Sequence, residues 1–162
     1  MKRSEVYKVI RDVVKEKMPY LQYVDLQKQQ MKRPSEHYPI ALPALLVEFK
    51  DARFSNISQL NQIGDFVISI YLYLDLVTDS FDGSELESET IELLDKADDV
   101  FQTLQGVSCD LFSQLIRIGE AVHEYGNKYI CLRTDFATSI KEEKEKVKIV
   151  IERPKIKITT HA

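Results

Sequence analysis

The sequence predicts an α+β fold, in which a mostly antiparallel sheet of about 4-5 strands carries an N-terminal helix and one further helix that returns across a face. Three observations indicate this class. Apolar residues alternate through Gly64–Leu76, they recur at helical spacing through Glu85–Leu104, and further alternating segments lie on either side of these two. Runs of strands around one returning helix argue against a parallel Rossmann sheet. The expected order of elements is α-β-β-β-α-β-β.

The chain begins with a predicted helix and a short strand. Ser4 is typical of a helix N-terminus, the apolar residues between positions 6 and 14 recur at helical spacing, and Pro19 ends the helix. Leu21–Gln27 alternates and predicts a strand. The next segment, Lys28–Pro43, contains three prolines, so we expect a long loop or arm there. Loops of this length in compact domains usually carry a function or are disordered.

Two strands are predicted in the middle of the chain. Ala44–Phe49 is an apolar run that suits a buried strand, and Asp51–Ile63 has the composition of a polar connection. The long strand Gly64–Leu76 has one strongly apolar face, formed by its even-numbered residues from 66 to 76. Its other face is mixed and contains Tyr71 and Tyr73.

A turn and the second predicted helix follow. Thr78–Gly83 has turn composition, Ser84 or Ser88 is expected to cap the helix, and Gly106 lies where a C-terminal stop belongs. The helix face that we expect to contact the sheet consists of Ile91, Leu94, Ala97, Phe101 and Leu104. The acidic residues are expected to form a solvated stripe on the opposite side; they are Glu85, Glu87, Glu89, Glu92, Asp95, Asp98 and Asp99.

The last predicted elements are a hairpin and a charged extension. Phe112–Val122 and Lys128–Phe136 both alternate, with turn residues between them. We expect one domain over residues 1–140 and an extension over 141–162, in which Val147–Glu152 and Lys155–Thr160 alternate again.

Charge is unevenly distributed along the chain. The extension holds seven Lys or Arg against four Glu, a net charge of +3, which leaves the preceding 140 residues with 15 basic and 22 acidic residues and a net charge of −7. An acidic body argues against nonspecific binding of nucleic acid by that body.

The composition is that of a soluble globular protein. The 162 residues are 44% hydrophobic and 30% charged, no apolar run is long enough to cross a bilayer, and the N-terminus lacks the apolar core of a signal peptide. These features predict a cytoplasmic protein. Cys109 and Cys131 are consistent with reduced thiols there, and a disulfide between neighbouring strands is the geometric alternative.

No short motif for catalysis or ligand binding occurs in the sequence. His37, His123 and His161 lie far apart, no HxH, HxxxH or CxxC pair is present, and the isolated glycines form no phosphate-binding loop. Catalysis also needs convergent polar groups, and the sequence gives no indication of such a set. We therefore predict no catalytic residue, no metal site and no cofactor.

Candidate residues for contacts between protein subunits lie on the long strand and in the arm. Tyr71 and Tyr73 are of a residue type enriched at interfaces. Lys32, Arg33 and Tyr38 give the arm basic and aromatic side chains. For the tyrosines, the alternative is that the second helix covers one face of the sheet and the N-terminal helix partly covers the other. For basic residues, the alternatives are contact with phosphates or protection of a sheet edge.

Several local sequences occur in an informative order. An amphipathic helix ends at MPYLQYVDL, and PALLVEF and GDFVISIYLYLDL follow it. The helix IELLDKADDVFQTLQG comes next, and LIRIGEAVHEYG and YICLRTDFAT close the series. This pattern covers roughly residues 4–138. It resembles the tail-terminator (tail-completion, minor tail protein U-like) family of tailed bacteriophages, in particular the versions encoded by prophages.

The resemblance implies a structural protein and not an enzyme. Members of this family form a ring, usually a hexamer, on the head-proximal end of the tail tube, where the ring halts tube polymerisation and contacts the head connector. The implied partners are other copies of the chain, the tail tube protein and the head–tail connector protein, while DNA passes through without specific binding and no membrane is involved. The implied location is the virion tail, and the bacterial host cytoplasm during assembly.

Within this resemblance, Lys28–Pro43 is the candidate for reaching a neighbouring subunit. The proline-rich arm and the C-terminal extension both depart from the family pattern, and the family has no short catalytic motif from which a residue role could be transferred. Two other classes of protein stay open. One is a small cytoplasmic ligand-binding or regulatory module of a bacterium, and the other is an enzyme.

Overall fold

The computed structural model of the protein describes residues 3–33, 39–58, 61–76, 81–126 and 128–143. These residues form two helices and five strands. In chain order they are α1 (Arg3–Lys17), β1 (Tyr23–Leu26), β2 (Ala44–Asn56), β3 (Asn61–Asp75), α2 (Glu87–Leu104), β4 (Ile116–Tyr125) and β5 (Tyr129–Glu143). The predicted α+β class and the order α-β-β-β-α-β-β are confirmed.

The five strands form one sheet, in the order β1-β2-β3-β5-β4 for the described part of the chain. β1 is parallel to β2, and the other neighbouring pairs are antiparallel. β3 lies at the centre and pairs with β5 over its whole length, from Asn61 opposite Glu143 to Asp75 opposite Tyr129. β1 and β4 are therefore the two edges of the sheet.

Both helices pack on the same face of the sheet. Their buried residues form one cluster with the even-numbered apolar residues of β3; on the helices these are Val6, Ile10, Val14, Val100 and Leu104. The alternative in which the N-terminal helix partly covers the opposite face is therefore wrong. A hydrogen bond also joins the two helical regions: the hydroxyl of Tyr20, which lies just after α1, donates to Asp99 Oδ2 of α2 at 3.0 Å.

The side of α2 that contacts the sheet differs from the predicted one. Leu93, Val100 and Leu104 pack toward the core, whereas Ile91 and Leu94 are 55% and 60% exposed. Both sets of residues satisfy a helical period, so periodicity alone does not distinguish them. The helix consequently presents apolar side chains on two sides.

The predicted end of α2 at Gly106 is confirmed, but its predicted N-cap residue is wrong. Its N-cap residue is Leu86, which makes no side-chain capping hydrogen bond to the described residues, whereas the sequence predicts Ser84 or Ser88. Gly106 follows the helix with a φ of +79°, which confirms the predicted stop, because glycine adopts this left-handed conformation without strain. Of the predicted turn before the helix, residues 78–80 lie outside the described residues.

The segment Asp51–Ile63 is part of a long β2–β3 hairpin, so the prediction of a polar connection is wrong. β2 continues to Asn56, and β3 begins at Asn61. A β-bulge between Phe49 and Ala52 shifts the alternation by one residue. The residues of β2 that pack in the cluster beneath the helices are odd-numbered up to Phe49, whereas Ala52 after the bulge is even-numbered, so the period of two breaks within the strand.

The C-terminal hairpin is confirmed with different strand bounds. β4 begins later than predicted, at Ile116, and β5 continues past its predicted end to Glu143. Lys141 therefore belongs to the sheet and does not begin a linker. The alternating segments Val147–Glu152 and Lys155–Thr160 lie outside the described residues.

Gly64 allows two aromatic rings to approach the backbone of β3. The rings of Phe54 and Phe66 meet edge to face, with their centroids 5.7 Å apart. A β-carbon added at Gly64 would lie 2.6 Å from the Phe66 ring and 2.8 Å from the Phe54 ring. Any larger residue at this position therefore has to displace at least one ring.

We expect Gly64→Ala to lower the free energy of unfolding by about 1–3 kcal/mol, because the added methyl group overpacks the site beneath the two rings. Gly119→Ala is the matched control, since a β-carbon there would meet Asp135 Oδ2 at 4.0 Å, an ordinary contact distance. Urea denaturation of both variants measures the difference. Equal loss of stability in the two variants would contradict the prediction.

Candidate interaction surfaces

The large apolar side chains that are exposed in the described chain fall into three groups. They range from 37% to 69% exposed. The hairpin-tip group is Phe54, Ile57 and Ile63, the helix group is Phe81, Ile91 and Leu94, and the edge group is Ile116, Ile118 and Val122. Single exposed apolar residues are ordinary, but clusters of them mark surfaces that contact other molecules.

The hairpin-tip group lies where β2 turns into β3. The two strands stay paired as far as Asn56, and Ile57 N donates a hydrogen bond to Asn61 O at 2.9 Å. β5 accompanies β3 up to Glu143, so the tip is the end of a three-stranded ribbon. Most side chains from 51 to 57 are exposed. The ribbon thus extends beyond the part of the sheet that the helices cover.

The helix group lies near the opposite end of the sheet. The N-terminal half of α2 and the end of β3 line a groove of about 310 Å³, which includes Leu74, Asp75, Glu89 and Leu93. β3 is 15 residues long, which places its two ends about 46 Å apart at roughly 3.3 Å per residue. Acidic residues surround this group, because the exposed side of α2 carries most of the carboxylates of the helix.

The edge group lies on β4, the outermost strand beside β5. Ile116 is paired with Ala137, and Ile118 lies two residues further along, immediately before Gly119 in the first of two β-bulges. Ile118 is the extra residue of this bulge, since Arg117 pairs with Phe136 and Gly119 with Asp135, so the regular alternation of sides stops there. One backbone donor of this strand is occupied from within the chain, since Arg117 N donates to Gln105 Oε1 at 2.9 Å.

The face of the sheet opposite the helices is partly covered by the chain itself. A second buried cluster on that face, which we call the covered patch, consists of Ala44, Leu46, Tyr71, Tyr73 and Cys131. Met31, Ile40 and Leu42 pack against it. These three residues belong to the described ends of the predicted arm, so both ends lie against their own sheet.

Hydrogen bonds fix the two tyrosines of the covered patch. Tyr71 and Tyr73 are only 4% and 2% exposed. The Tyr71 hydroxyl donates to Glu48 Oε2 at 2.6 Å, and Gln27 Nε2 donates to the Tyr73 hydroxyl oxygen at 3.1 Å. The His123 ring also meets the Tyr71 ring edge to face, with centroids 4.9 Å apart. Both tyrosines therefore help to build the subunit, and their predicted role between subunits stays a prediction.

The remaining predicted contact residues do not join the tyrosines in one place. Lys32 and Arg33 are exposed and follow directly after Met31, which packs on the covered patch. Tyr38 lies outside the described residues. The segment just before Lys32 is held by its own hydrogen bonds: buried Gln30 accepts from Lys28 N at 2.6 Å and donates to Leu26 O at 2.8 Å.

Burial keeps the ionisable groups of the covered patch neutral. It raises the pKa of Tyr71 well above its ordinary value, and the hydrogen bond to the Glu48 carboxylate raises it further. Burial likewise raises the pKa of Tyr73. It also raises the pKa of the Cys131 thiol to about 12, although the hydrogen bond with Tyr73 acts in the opposite direction. A thiol with so high a pKa is a poor nucleophile at neutral pH.

Toward the hairpin tip, the same face of the sheet is open. A groove of about 440 Å³ crosses β3 and β5 there, and its polar lining includes Asp51, Arg53, Asp65 and Ser139. The Ser139 hydroxyl donates to Asp65 Oδ1 at 2.6 Å, so one carboxylate already has a partner within the groove. The lining combines both signs of charge with apolar side chains such as Val67 and Ile116. Such a surface suits contact with a protein or with a small polar molecule.

Two other kinds of site are absent from the described residues. Among them, no group of three or more His, Cys, Asp or Glu side chains is close enough to hold a metal ion. Neither helix in the described ranges is long and apolar enough to cross a membrane.

The three exposed groups were not among the predicted contact residues, although the sequence contains part of the information. α2 has more apolar residues than one face requires, and the alternation of Ile116 with Arg117 and Ile118 is visible in the sequence. Which apolar residues remain exposed depends on the pairing of distant strands. No protein family model matches this chain, and no curated protein matches it either.

The two cysteines are expected to differ in reactivity. Cys109 is partly exposed, whereas Cys131 is buried in the covered patch and has a raised pKa. At pH 8, one thiol per folded chain should react rapidly with an aromatic disulfide reagent, and Cys109→Ser should remove that rapid phase. Cys131→Ala is the control and should retain it. Rapid reaction of both thiols in the folded protein, as in urea, would show that the covered patch is open to solvent.

Proposed function

We propose that this protein is a structural component of a tailed bacteriophage that closes the head-proximal end of the tail tube as a ring, of six copies by the resemblance, and joins it to the head connector. Contacts between proteins carry out this function, and no catalytic step is involved. The ring belongs to the virion tail and assembles in the bacterial host cytoplasm. The tail tube protein and the connector protein would bind its two faces.

One observation carries the proposal: two unlike apolar groups lie at opposite ends of the sheet. A symmetric dimer needs one surface that matches itself, whereas a ring needs two different surfaces that match each other. Ile57 in the hairpin-tip group and Leu94 in the helix group provide two such surfaces, which lie toward opposite ends of β3, a strand about 46 Å long at roughly 3.3 Å per residue. In the proposed ring, the hairpin-tip group of each copy contacts the helix group of the next.

The charge of the chain is compatible with passage of DNA through such a ring. The first 140 residues carry a net charge of −7, and seven acidic residues lie on or just before α2. An acidic lumen repels the phosphate backbone, so DNA would move through it without being retained. The proposal therefore assigns DNA no binding site on this chain.

The groove near the hairpin tip favours a second candidate function. Its volume of about 440 Å³ is within the usual range for small-molecule sites, and Asp51, Arg53 and Asp65 could orient a polar ligand. In that case the protein would be a ligand-binding or regulatory module of the bacterial cytoplasm. Such a module would be a monomer or a dimer, so the native mass separates the two candidates.

The first experiment measures the native mass of the purified protein, alone and after mixing with the tail tube protein encoded nearby. We expect a species of about six times the 18.8 kDa of the chain, either in solution or at tube ends, where electron microscopy would show capped tubes of uniform length. A monomer that ignores tubes in both assays would contradict the proposal and favour the ligand-binding module.

Two single variants test the head-to-tail arrangement. Ile57→Asp places a charge in the hairpin-tip group, and Leu94→Glu does so in the helix group, so each should abolish the ring. Gln102→Glu adds a charge at an exposed position of α2 outside the group and should leave the ring intact.

Mixing the two variants is the sharper test. Each retains one intact surface, so an equimolar mixture of Ile57→Asp and Leu94→Glu should form heterodimers through the single remaining compatible contact, but no ring. A symmetric contact, in which each group meets its own copy, would give no such heterodimer. Native mass spectrometry distinguishes these outcomes if one variant is isotopically labelled.

A further inference from the structure

β4 is a long edge strand that carries only part of the usual protection. Exposed strand edges invite pairing with another chain, and natural proteins commonly protect them with lysine, with proline, with β-bulges or by keeping them short. β4 is ten residues long and its sequence, IRIGEAVHEY, contains neither lysine nor proline. The opposite edge, β1, has only four residues. Two bulges interrupt β4, but they leave Ile116, Ile118 and Val122 exposed.

The side chains of β4 indicate what an added strand would have to supply. Ile116 and Ile118 lie close together on β4 and are 43% and 57% exposed. On a sheet, such residues gain stability from apolar or β-branched residues on the neighbouring strand. Glu120 and Glu124 give β4 a net negative charge, since Arg117 is its one Lys or Arg. A suitable strand would therefore alternate, carry isoleucine or valine on one side and be basic.

The C-terminal part of the chain has this composition. Nineteen residues follow Glu143, with six Lys or Arg against two Glu. Within them, Val147, Ile149 and Ile151 alternate with Lys148, Val150 and Glu152, and Ile156 and Ile158 alternate with Lys155, Lys157 and Thr159. This segment is thus complementary to β4 in pattern and in charge. Pro154 separates the two alternating stretches, so each can supply a strand of six residues beside the ten residues of β4.

The direction of β5 indicates which β4 the segment reaches. β5 ends at the hairpin tip, where Glu143 lies opposite Asn61. β4 of the same chain begins beside Ala137 and runs toward the other end of the sheet, where Tyr125 pairs with Ile130. In the proposed ring, the tip of one copy meets the helix group of the next. The helix group lies at the same end of the sheet as Tyr125, so the segment leaves one copy close to the far end of the next copy's β4.

We propose that the C-terminal segment of one copy, within residues 146–160, adds as an antiparallel strand to the free edge of β4 in the neighbouring copy, where its isoleucines and valines cover Ile116 and Ile118. This inference rests on the proposed head-to-tail association. It gives that association a second contact, made by backbone hydrogen bonds as well as by side chains. Each β4 in a closed ring then has a partner.

Cysteine cross-linking between two variants of this chain tests the inference. Both variants carry Cys109→Ser. One also carries Ile118→Cys, and the other carries cysteine in place of Ile149, Ile151, Ile156 or Ile158. Because Ile118 is 57% exposed, its replacement should not disturb folding, which circular dichroism verifies. After mixing and mild oxidation, we expect at least one combination to give a disulfide-linked heterodimer of twice 18.8 kDa on a non-reducing gel.

Lys8→Cys is the matched control for Ile118→Cys. Lys8 is exposed on α1, which packs on the face of the sheet opposite the covered patch and contacts β1 at the other edge, so its cross-linking with the same partners measures random collision. A cross-linking yield at Ile118 no higher than at Lys8, under conditions in which rings form, would overturn the inference and leave the proposed ring standing.

A chain that carries both cysteines distinguishes the two possible donors. If the segment comes from a neighbour, oxidation of the double variant should give a ladder of linked subunits. A faster-migrating monomer would mean that each chain covers its own β4, which overturns the inference. A ladder from protein that never caps tail tubes would support the strand addition and count against the phage function.

Discussion

The parallel pairing of β1 with β2 is the constraint on which the layout of the molecule depends. Parallel neighbours cannot be joined by a tight turn, so the connecting chain must travel back along one face of the sheet. α1 and α2 occupy one face, and the described ends of the connection pack against the other. Tyr71 and Tyr73 are buried for this reason. A connecting segment covers them, and not a helix.

Because the helices cover one face of the sheet and the connection covers part of the other, apolar surface stays exposed in places that neither of them reaches. The connection covers the sheet around Tyr73, while the part of the same face near Asp65 stays open as a groove. The helices end before the hairpin tip, so Ile57 has no neighbour from α1 or α2 in the core cluster. α2 itself has a second apolar side, which includes Leu94. The exposed groups are consequences of the topology and are candidates for contacts with other molecules.

Local patterns in the sequence predict the type and order of the elements, but not all of their bounds and not their arrangement. The alternation of β3 is recognisable in the sequence because no bulge interrupts it. The bulge after Phe49 breaks the alternation of β2, so the sequence pattern does not predict the second half of that strand. The sheet-facing side of α2 was not predictable, because Leu93 and Leu94 begin two equally regular helical stripes. The burial of Tyr71 depends on how β1 pairs, which is a contact between distant residues. Residue type made the tyrosines candidates for an interface, but the topology decides whether they are accessible.

The uninterrupted pairing of β3 with β5 also determines how the subunit would respond to mechanical load. Fifteen successive residue pairs join these strands, from the covered patch to the hairpin tip. Interstrand hydrogen bonds lie perpendicular to the strands, so tension applied along the ribbon shears many of them together, whereas tension across it would open them one after another. A pull on the tip in the strand direction is therefore shared along the whole ribbon, and the central sheet is built to transmit force without yielding at its end.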